Sequence, residues 1–157
     1  MNQNTLSSDE RWLAAFSHAS ILIPTLGFAV PLIVWITRRE RSVFLRFQAL
    51  QALAYQLLLA AVWVVLGAFS GLFLGALGLV SGAFALAAQT ETPIMLVAGG
   101  QFLVLGGLLC LMGLGVLLGV IAAIACLSGS NFRYPLLGRG LEKLLLQPSL
   151  SEEVSHA

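Results

Sequence analysis

Charged residues divide the chain into long apolar segments. They fall at residues 9–11, at 38–46, at Glu91 and from Arg133 onward, and the stretches between them carry no charge. A helix needs about 20 apolar residues to cross the hydrocarbon core of a membrane. The pattern therefore predicts an all-α membrane protein, a helical bundle of three transmembrane helices with four as the alternative. The predicted spans are about 13–36, 47–88 and 94–128.

The second span is longer than a membrane requires. About 44 residues between Arg46 and Glu91 are uncharged, and one straight helix of that length measures roughly 65 Å, twice the hydrocarbon thickness. We therefore expect this segment to be bent or broken around Ser70 to Gly78. The stretch QTETP at 89–93 is the one clear turn signal before the last span.

Glycines recur at intervals of four and seven residues in both long segments. Such spacing places them along single faces, where two membrane helices approach backbone to backbone. We expect 47–88 to pack against 94–128 along these faces; the alternative is that glycine is simply common in membrane helices. The predicted packing residues are Gly71, Gly75, Gly78, Gly82, Gly106 and Gly113.

The composition agrees with a membrane protein. The 157 residues are 59% hydrophobic and 10% charged, with a mean hydropathy of +0.95, whereas soluble domains carry about 25% charged residues. A net charge of +1 provides no basic face for nucleic acid, so the lipid bilayer is the expected partner. Cys110 and Cys126 lack CxxC spacing, which favours buried thiols over a metal or redox site, and no cofactor is expected.

Residues 1–10 are expected to form a polar tail before the bundle at 11–131. The tail is slightly acidic, which is not typical of a cleaved signal peptide. Ser7 and Glu10 have capping-box spacing and predict a helix that starts near Ser8. Trp12 and Trp35 bracket the first span and would lie roughly 34 Å apart on a helical path, one at each interface. Three residues in this span favour a kink or short break: Pro24, Gly27 and Pro31.

Basic residues set the expected orientation. Arg38, Arg39, Arg41 and Arg46 form a short loop between two spans, and such loops stay on the cytoplasmic side. Three crossings place the N-terminus outside and the C-terminus inside, whereas four would export the basic stretch after the last span. The positions of the basic residues therefore favour three crossings over four. We expect a multi-pass protein of the bacterial cytoplasmic (inner) membrane with a cytoplasmic C-terminus.

Polar side chains gather where the second span begins. At 100° per residue, Gln48, Gln51 and Tyr55 fall within about 60° of one another, and Gln56 lies some 80° from Gln48. His18 is an isolated polar group inside the first apolar segment. One interpretation is structural: His18 hydrogen-bonds a neighbouring serine or the Gln48 face and so stabilises helix packing. The alternative is that His18 forms a proton or ligand site. No Asp or Glu lies within a span to partner a proton relay, which favours the structural role.

Residues 132–157 are predicted to form an interfacial helix followed by a disordered tail. In YPLLGRGLEKLLLQP, four leucines share an arc of about 100° and the charged residues occupy the opposite side. Pro135 suits the first turn of such a helix, and the tail is expected to begin after Pro148.

Three stretches in fixed order resemble a known family. They are ERWLAAFSHAS, GFAVPLIVWITRRERSVFLRFQALQALAYQ and IAAIACLSGSNFRYPLLGR. Together they resemble a bacterial family of small multispan membrane proteins related to the four-helix subunit of the chloroplast Tic protein-import translocon, which is largely of unknown function. The resemblance carries over His18, Pro31, Gln51, Ala52, Gln56, Gly129, Arg133, Tyr134 and Pro135. The chain departs from the family at Gln48, where many relatives have His, at Ala54, where Asn is usual, and in a longer 66–100 region.

The sequence favours an accessory subunit over an enzyme or a pore. An enzyme needs a nucleophile with a base, paired carboxylates or a metal cluster, and adjacent helical side chains such as Ser17 and His18 point apart. The Tic resemblance implies a component of a translocation or transport pore, but these spans carry no charged lining. We expect a non-catalytic interaction subunit of a larger membrane assembly, bound to a membrane-protein partner or to further copies of itself. The candidate interaction residues are His18, Gln48, Gln51, Tyr55, Gln56, Arg133, Tyr134 and Pro135.

Overall fold

The computed structural model describes residues 6–38, 42–135, 137 and 140. The α-helices follow in the order α1 (Ser8–Ala19), α2 (Ala29–Arg38), α3 (Val43–Ala88) and α4 (Thr92–Leu127), and a short 3-10 helix, Ser20–Leu22, follows α1. These residues contain no strand, so the all-α expectation is confirmed. The amphipathic helix and tail predicted toward the C-terminus fall mostly on 141–157, outside the described residues.

The start of α1 agrees with the sequence pattern. The Ser7 hydroxyl accepts a hydrogen bond from the Glu10 N–H at 3.2 Å, and the Glu10 carboxylate accepts one from the Ser7 N–H at 2.9 Å. This reciprocal pair is the predicted capping box, and the helix begins at Ser8.

Two helices in the described part of the chain are long and apolar enough to cross a membrane, α3 and α4. They contain 46 and 36 residues and measure about 69 and 54 Å. They are joined at 89–91, the predicted turn, where Gln89 has a φ of 53° and the Thr90 N–H donates to the Ala85 carbonyl at 3.1 Å. The bundle of three spans is therefore not confirmed.

The first apolar segment reverses direction. α1 and α2 pack against each other, and the chain turns at residues 23–28. Thr25 adopts a left-handed φ of 62° in this turn. At Gly27, an added Cβ would lie 2.8 Å from the Ile23 carbonyl oxygen and closer still to that of Ser20, so only glycine fits without displacement. We call this element the α1–α2 hairpin.

The hairpin replaces the continuous path assumed for the span at 13–36. Its two ends meet, because Asp9 and Glu10 at one end and Arg38 and Ser42 at the other border one cavity. On a straight helix, residues 9 and 38 would lie roughly 43 Å apart. The two tryptophans that bracket the segment therefore do not lie at opposite ends of one continuous helix.

The predicted glycine faces do not form a seam within the described chain. α3 is helical throughout, including residues 70–78, where a bend or break was expected. A Cβ added at the predicted packing glycines would meet no atom within 4 Å at Gly71, Gly75, Gly78, Gly82, Gly106 or Gly113, because no side chain approaches them. Close approach occurs instead at Gly115 and Gly119, where an added Cβ would lie 3.0 Å from the Leu59 side chain and 2.8 Å from the Ile21 side chain, respectively.

The chain divides into two compact units, Met1–Leu58 with Val116–Ala157, and Leu59–Gly115. The first, the hairpin unit, contains the α1–α2 hairpin, the start of α3 and the end of α4. Its core combines small and large apolar side chains: Ala14, Ala15, Val34, Phe44, Leu45, Ala49, Ala123 and Cys126. In the second unit large apolar side chains such as Leu72, Leu79 and Phe102 are exposed, as lipid-facing positions are.

The end of α4 redirects the chain within the hairpin unit. The Ser130 N–H donates to the Ala125 carbonyl and the Gly129 N–H to the Cys126 carbonyl, both at 3.0 Å. This is a Schellman motif, and Gly129 takes the left-handed conformation it requires, with a φ of 77°. Residues 131–135, which we call the C-terminal segment, continue from this turn and complete the site described next.

Candidate functional site

A buried polar cluster joins three distant parts of the sequence within the hairpin unit. It is formed by the end of α1, the start of α3 and the C-terminal segment. Its members are Ser17, His18, Ser20, Gln48, Gln51, Gln56, Asn131 and Tyr134. Buried polar groups are costly unless they are hydrogen-bonded, so each contact constrains how these elements pack.

His18 lies at the centre of the cluster and is 1% exposed. Its Nε2 is 3.1 Å from the Gln48 Oε1, and its Nδ1 is 3.2 Å from the Tyr134 hydroxyl. The Gln48 amide nitrogen already donates to two oxygen acceptors, so its Oε1 faces the imidazole as an acceptor. The Nε2–H of His18 therefore donates to Gln48, and Nδ1 accepts from the Tyr134 hydroxyl. This arrangement holds the imidazole in one neutral tautomer.

Gln48 connects the imidazole to the C-terminal segment. Its Nε2 donates to the Asn131 Oδ1 at 2.8 Å and to the Phe132 carbonyl at 3.1 Å. With the bond from His18, the side-chain amide makes three hydrogen bonds, and it is fully buried. The start of α3 is thereby fixed to α1 on one side and to residues 131–132 on the other.

Tyr134 adds an aromatic contact to the hydrogen bond. Its ring stacks on Tyr55 with a centroid distance of 4.0 Å and an interplanar angle of 10°, and it meets Phe132 edge-on at 5.0 Å. Burial, and secondarily the neighbouring Tyr55 and Cys126, raise the pKa of the Tyr134 phenol. The hydroxyl therefore stays protonated and remains a donor to His18.

Gln56 supports the C-terminal end of α1. Its Nε2 donates to the Ser17 carbonyl and to the Ser20 hydroxyl, both at 3.1 Å. The Ser20 hydroxyl in turn donates to the same Ser17 carbonyl at 2.9 Å. The last carbonyls of a helix have no partner within it, so these side chains provide the missing donors.

Gln51 is the exception in the cluster. It is fully buried, its Nε2 makes one long bond of 3.4 Å to the Phe132 carbonyl, and its Oε1 has no hydrogen-bond partner in the described chain. Burial of an unpaired amide oxygen is unfavourable. Gln51 is therefore the weakest member of the cluster.

The structure brings most of the predicted interaction residues together, but it places them inside the protein. His18, Gln48, Gln51 and Tyr134 are buried, and Tyr55 and Gln56 are half-buried. His18 contacts Gln48 and Tyr134, and Tyr55 stacks on Tyr134, so these side chains interact within the protein. Of the predicted set, Arg133 and Pro135 are exposed.

Sequence reasoning missed two participants, Asn131 and Phe132. Both lie in the stretch NFRYP, directly before the predicted residues Arg133, Tyr134 and Pro135, and this adjacency was the available signal. Within the described residues, no group of three or more His, Cys, Asp and Glu side chains is arranged to hold a metal ion.

Together these features define a helical membrane protein in which a buried polar cluster ties an N-terminal hairpin to a C-terminal segment. The chain belongs to the MamF/MmsF family, the magnetosome magnetite crystal formation protein family, which matches residues 9–141. No curated protein and no solved structure matches the chain.

The family assignment corrects the resemblance to the Tic-related proteins. The three stretches that suggested it lie at 10–20, 27–56 and 121–139, all inside the matched region. The region that contains them therefore matches the magnetosome family and not a Tic-related one. The protein-translocation role rested on that resemblance and has no support from the family that matches.

Proposed function

We propose that the protein is a non-catalytic accessory component of the magnetosome membrane that promotes magnetite crystal formation. One observation carries this proposal: the family match covers residues 9–141, a region that includes both membrane-length helices and the whole polar cluster. The region that matches the crystal-formation family is thus the region that contains the membrane-length helices.

The geometry of the cluster supports a structural role rather than catalysis. A general base needs a ring nitrogen within reach of a substrate proton. Both ring nitrogens of His18 are occupied, by Tyr134 and Gln48. The Ser17 hydroxyl donates to the Leu13 carbonyl at 2.9 Å and therefore does not form a nucleophile–base pair with His18.

The same proposal includes the arrangement in the membrane. α3 and α4 form two crossings, and the α1–α2 hairpin enters the membrane and returns. The N-terminus, the basic stretch of sequence at 38–46 and the C-terminal segment then share one side, which the arginines assign to the cytoplasm. Glu91 lies on the opposite side. The protein is multi-pass, and it originates in the cytoplasmic membrane or a membrane continuous with it.

An accessory role implies association with another membrane protein or with further copies of the chain. The exposed apolar helices of the second unit are covered by lipid or by such neighbours. Native gel electrophoresis in mild detergent with added lipid tests this part of the proposal. Migration of the wild type as a bare monomer under these conditions would contradict it.

Deletion in the native magnetite-forming host tests the role in crystal formation. We expect magnetosome membranes to persist while the crystals become smaller or misshapen, as measured by electron microscopy. Complementation with the wild type restores the crystals, and a Gln48→Leu variant, which disrupts the polar cluster, restores them poorly. Crystals of normal size and shape after deletion would refute the proposal.

Cysteine labelling tests the topology. In a background with Cys110 and Cys126 replaced, single cysteines are placed at Ser8, at Thr90 and after Ala157, and intact vesicles are treated with a membrane-impermeant maleimide. Two crossings with a hairpin predict that the cysteines at position 8 and after 157 label from one side and the cysteine at 90 from the other. Three crossings predict that positions 8 and 90 label together, and that result would reject the hairpin topology.

A further inference from the structure

A cavity of about 530 Å³ opens at the base of the α1–α2 hairpin. It is bordered by the first turns of α1, the end of α2 and the start of α3. Charged side chains form one part of its lining and apolar side chains the other, and the principal residues are Asp9, Glu10, Arg38, Trp12, Phe16 and Leu45. None of these residues belongs to the polar cluster.

The charges around the cavity have opposite signs and are not paired with one another. Hydrogen bonds from the Ser42 hydroxyl and the Ser7 N–H lower the pKa of Glu10, so this carboxylate is ionised at neutral pH. Arg38 is exposed at the end of α2, and no ion pair joins it to Asp9 or Glu10 in the described residues. A ligand with both a negative and a positive group therefore matches the rim.

Ser42 lies in one wall of the cavity, beside Glu10 and Leu45. Its hydroxyl oxygen accepts the Leu45 N–H at 3.3 Å at the start of α3, and its proximity to the Glu10 carboxylate holds the pKa of that group low. Leu45 is 3% exposed and belongs to the hydrophobic core, so this wall of the cavity is continuous with the core of the hairpin unit.

Insertion of the hairpin as proposed above puts this cavity at the depth of lipid headgroups. Its tip is apolar and exposed, with Leu22, Ile23 and Leu26 each more than half exposed. The N–H groups of Ile23 and Leu26 donate to the carbonyls of Ser20 and Pro24, and such pairing favours insertion among acyl chains. α1 has 12 residues, about 18 Å, which is roughly half the thickness of a hydrocarbon core. A tip near the bilayer centre puts the charged base at the interface.

We propose that the cavity binds a phospholipid whose headgroup carries a phosphate and a primary ammonium group, that is, an ethanolamine phospholipid. Arg38 pairs with the phosphate, and the carboxylates of Asp9 and Glu10 accept hydrogen bonds from the ammonium. A choline headgroup has no N–H to donate, and a glycerol headgroup has no positive charge. The acyl chains run along Trp12 and Phe16, whose exposed rings lie 5.8 Å apart on one face of α1.

This site rests on the hairpin topology proposed above and not on a role in crystal formation. Binding is therefore measured on the purified full-length protein in detergent, whereas the topology is tested separately by labelling in vesicles. Native mass spectrometry records the fraction of protein that retains one added lipid, using dioleoyl lipids with ethanolamine, choline or glycerol headgroups. We expect retention of the ethanolamine lipid to exceed that of the other two.

Charge-neutralising variants locate the site. Arg38→Gln and Asp9→Asn should each weaken retention of the ethanolamine lipid by about tenfold, as expected for loss of a charge-assisted hydrogen bond. Arg133→Gln and Glu91→Gln are matched controls outside the cavity and should retain the lipid as the wild type does. Both cavity residues are exposed, and an unchanged thermal midpoint in detergent shows that each variant is folded.

Three results would overturn the proposal. One is equal retention of the three headgroups, and another is equal weakening by the cavity variants and their controls. The third result is binding of the free headgroup without acyl chains. If soluble glycerophosphoethanolamine binds as tightly as the lipid, the acyl chains contribute nothing and the site is not a lipid site.

Discussion

Replacement of Gln48 by leucine should destabilise the protein, whereas replacement of Gln51 should not, although both side chains are 0% exposed and both lie in the first turns of α3. Gln48 makes three hydrogen bonds of 2.8 to 3.1 Å. Leucine in its place leaves the Nε2–H of His18 buried without an acceptor, at a cost of about 1–3 kcal/mol. The lost bond to the Phe132 carbonyl adds about 1 kcal/mol. The Asn131 amide is exposed and pairs with water instead.

The total expected for Gln48→Leu is a loss of about 2–4 kcal/mol of unfolding free energy. For Gln51→Leu, one long bond of 3.4 Å is lost, and the Phe132 carbonyl keeps its bond from Gln48. The unpaired Oε1 of Gln51 is removed at the same time, which relieves a desolvation penalty. The Gln51 variant is therefore expected to be as stable as the wild type or about 1 kcal/mol more stable.

Unfolding with sodium dodecyl sulfate in mixed micelles, followed by far-UV circular dichroism, measures both variants beside the wild type. Since the two substitutions remove the same amide, the difference between them isolates the hydrogen bonds. Equal destabilisation by both substitutions would refute the hydrogen-bond assignment, because it would mean that any leucine at this depth disrupts packing.

Three further outcomes are expected. Gly27→Ala should destabilise the hairpin by about 1–3 kcal/mol because the added methyl overlaps two carbonyl oxygens, whereas Gly71→Ala, in open space, should be neutral or stabilising in the same assay. Gly129→Ala should cost about 1–2 kcal/mol because its φ of 77° is left-handed, and a Gly129→Asn variant of equal or lower stability than the alanine variant would contradict this reason. Ser42→Ala should raise the pKa of Glu10 toward 4.5, as followed by carboxyl carbon NMR in micelles. Because the pKa of this carboxylate is lower in the folded protein, its contribution to stability is present above pH 4.5 and is lost as the pH falls through the folded pKa. The decrease in unfolding free energy over this pH range should be smaller in the Ser42→Ala variant than in the wild type.

Local patterns in the sequence predicted local structure well. The capping box at Ser7 and Glu10 gave the start of α1, and QTETP gave the turn between α3 and α4, because both signals act over a few residues. The polarity of Gln48 and of its neighbours on α3 indicated a site, since such side chains require partners near hydrocarbon.

Tertiary arrangement was harder to predict. Apolar length alone does not distinguish a helix that crosses a membrane from one that enters and returns, and the turn at Thr25 and Gly27 depends on a left-handed backbone and a close carbonyl contact. Likewise, the sequence does not show whether a polar side chain meets its own chain or a partner. Tyr134 hydrogen-bonds His18 although the two are 116 residues apart in the sequence, and helical periodicity predicts contacts only between residues that are close in sequence.

That same sequence separation sets an order of events during biosynthesis. When the segments that carry His18 and Gln48 leave the ribosome, Asn131, Phe132 and Tyr134 have not yet been made. At about 5–20 residues per second, the ribosome needs roughly 6–23 s to cover the interval between residues 18 and 134. During this time the imidazole and the glutamine amides are without their final partners. Packing of the hairpin is therefore completed only when the C-terminal segment has been synthesised and supplies these hydrogen-bond partners.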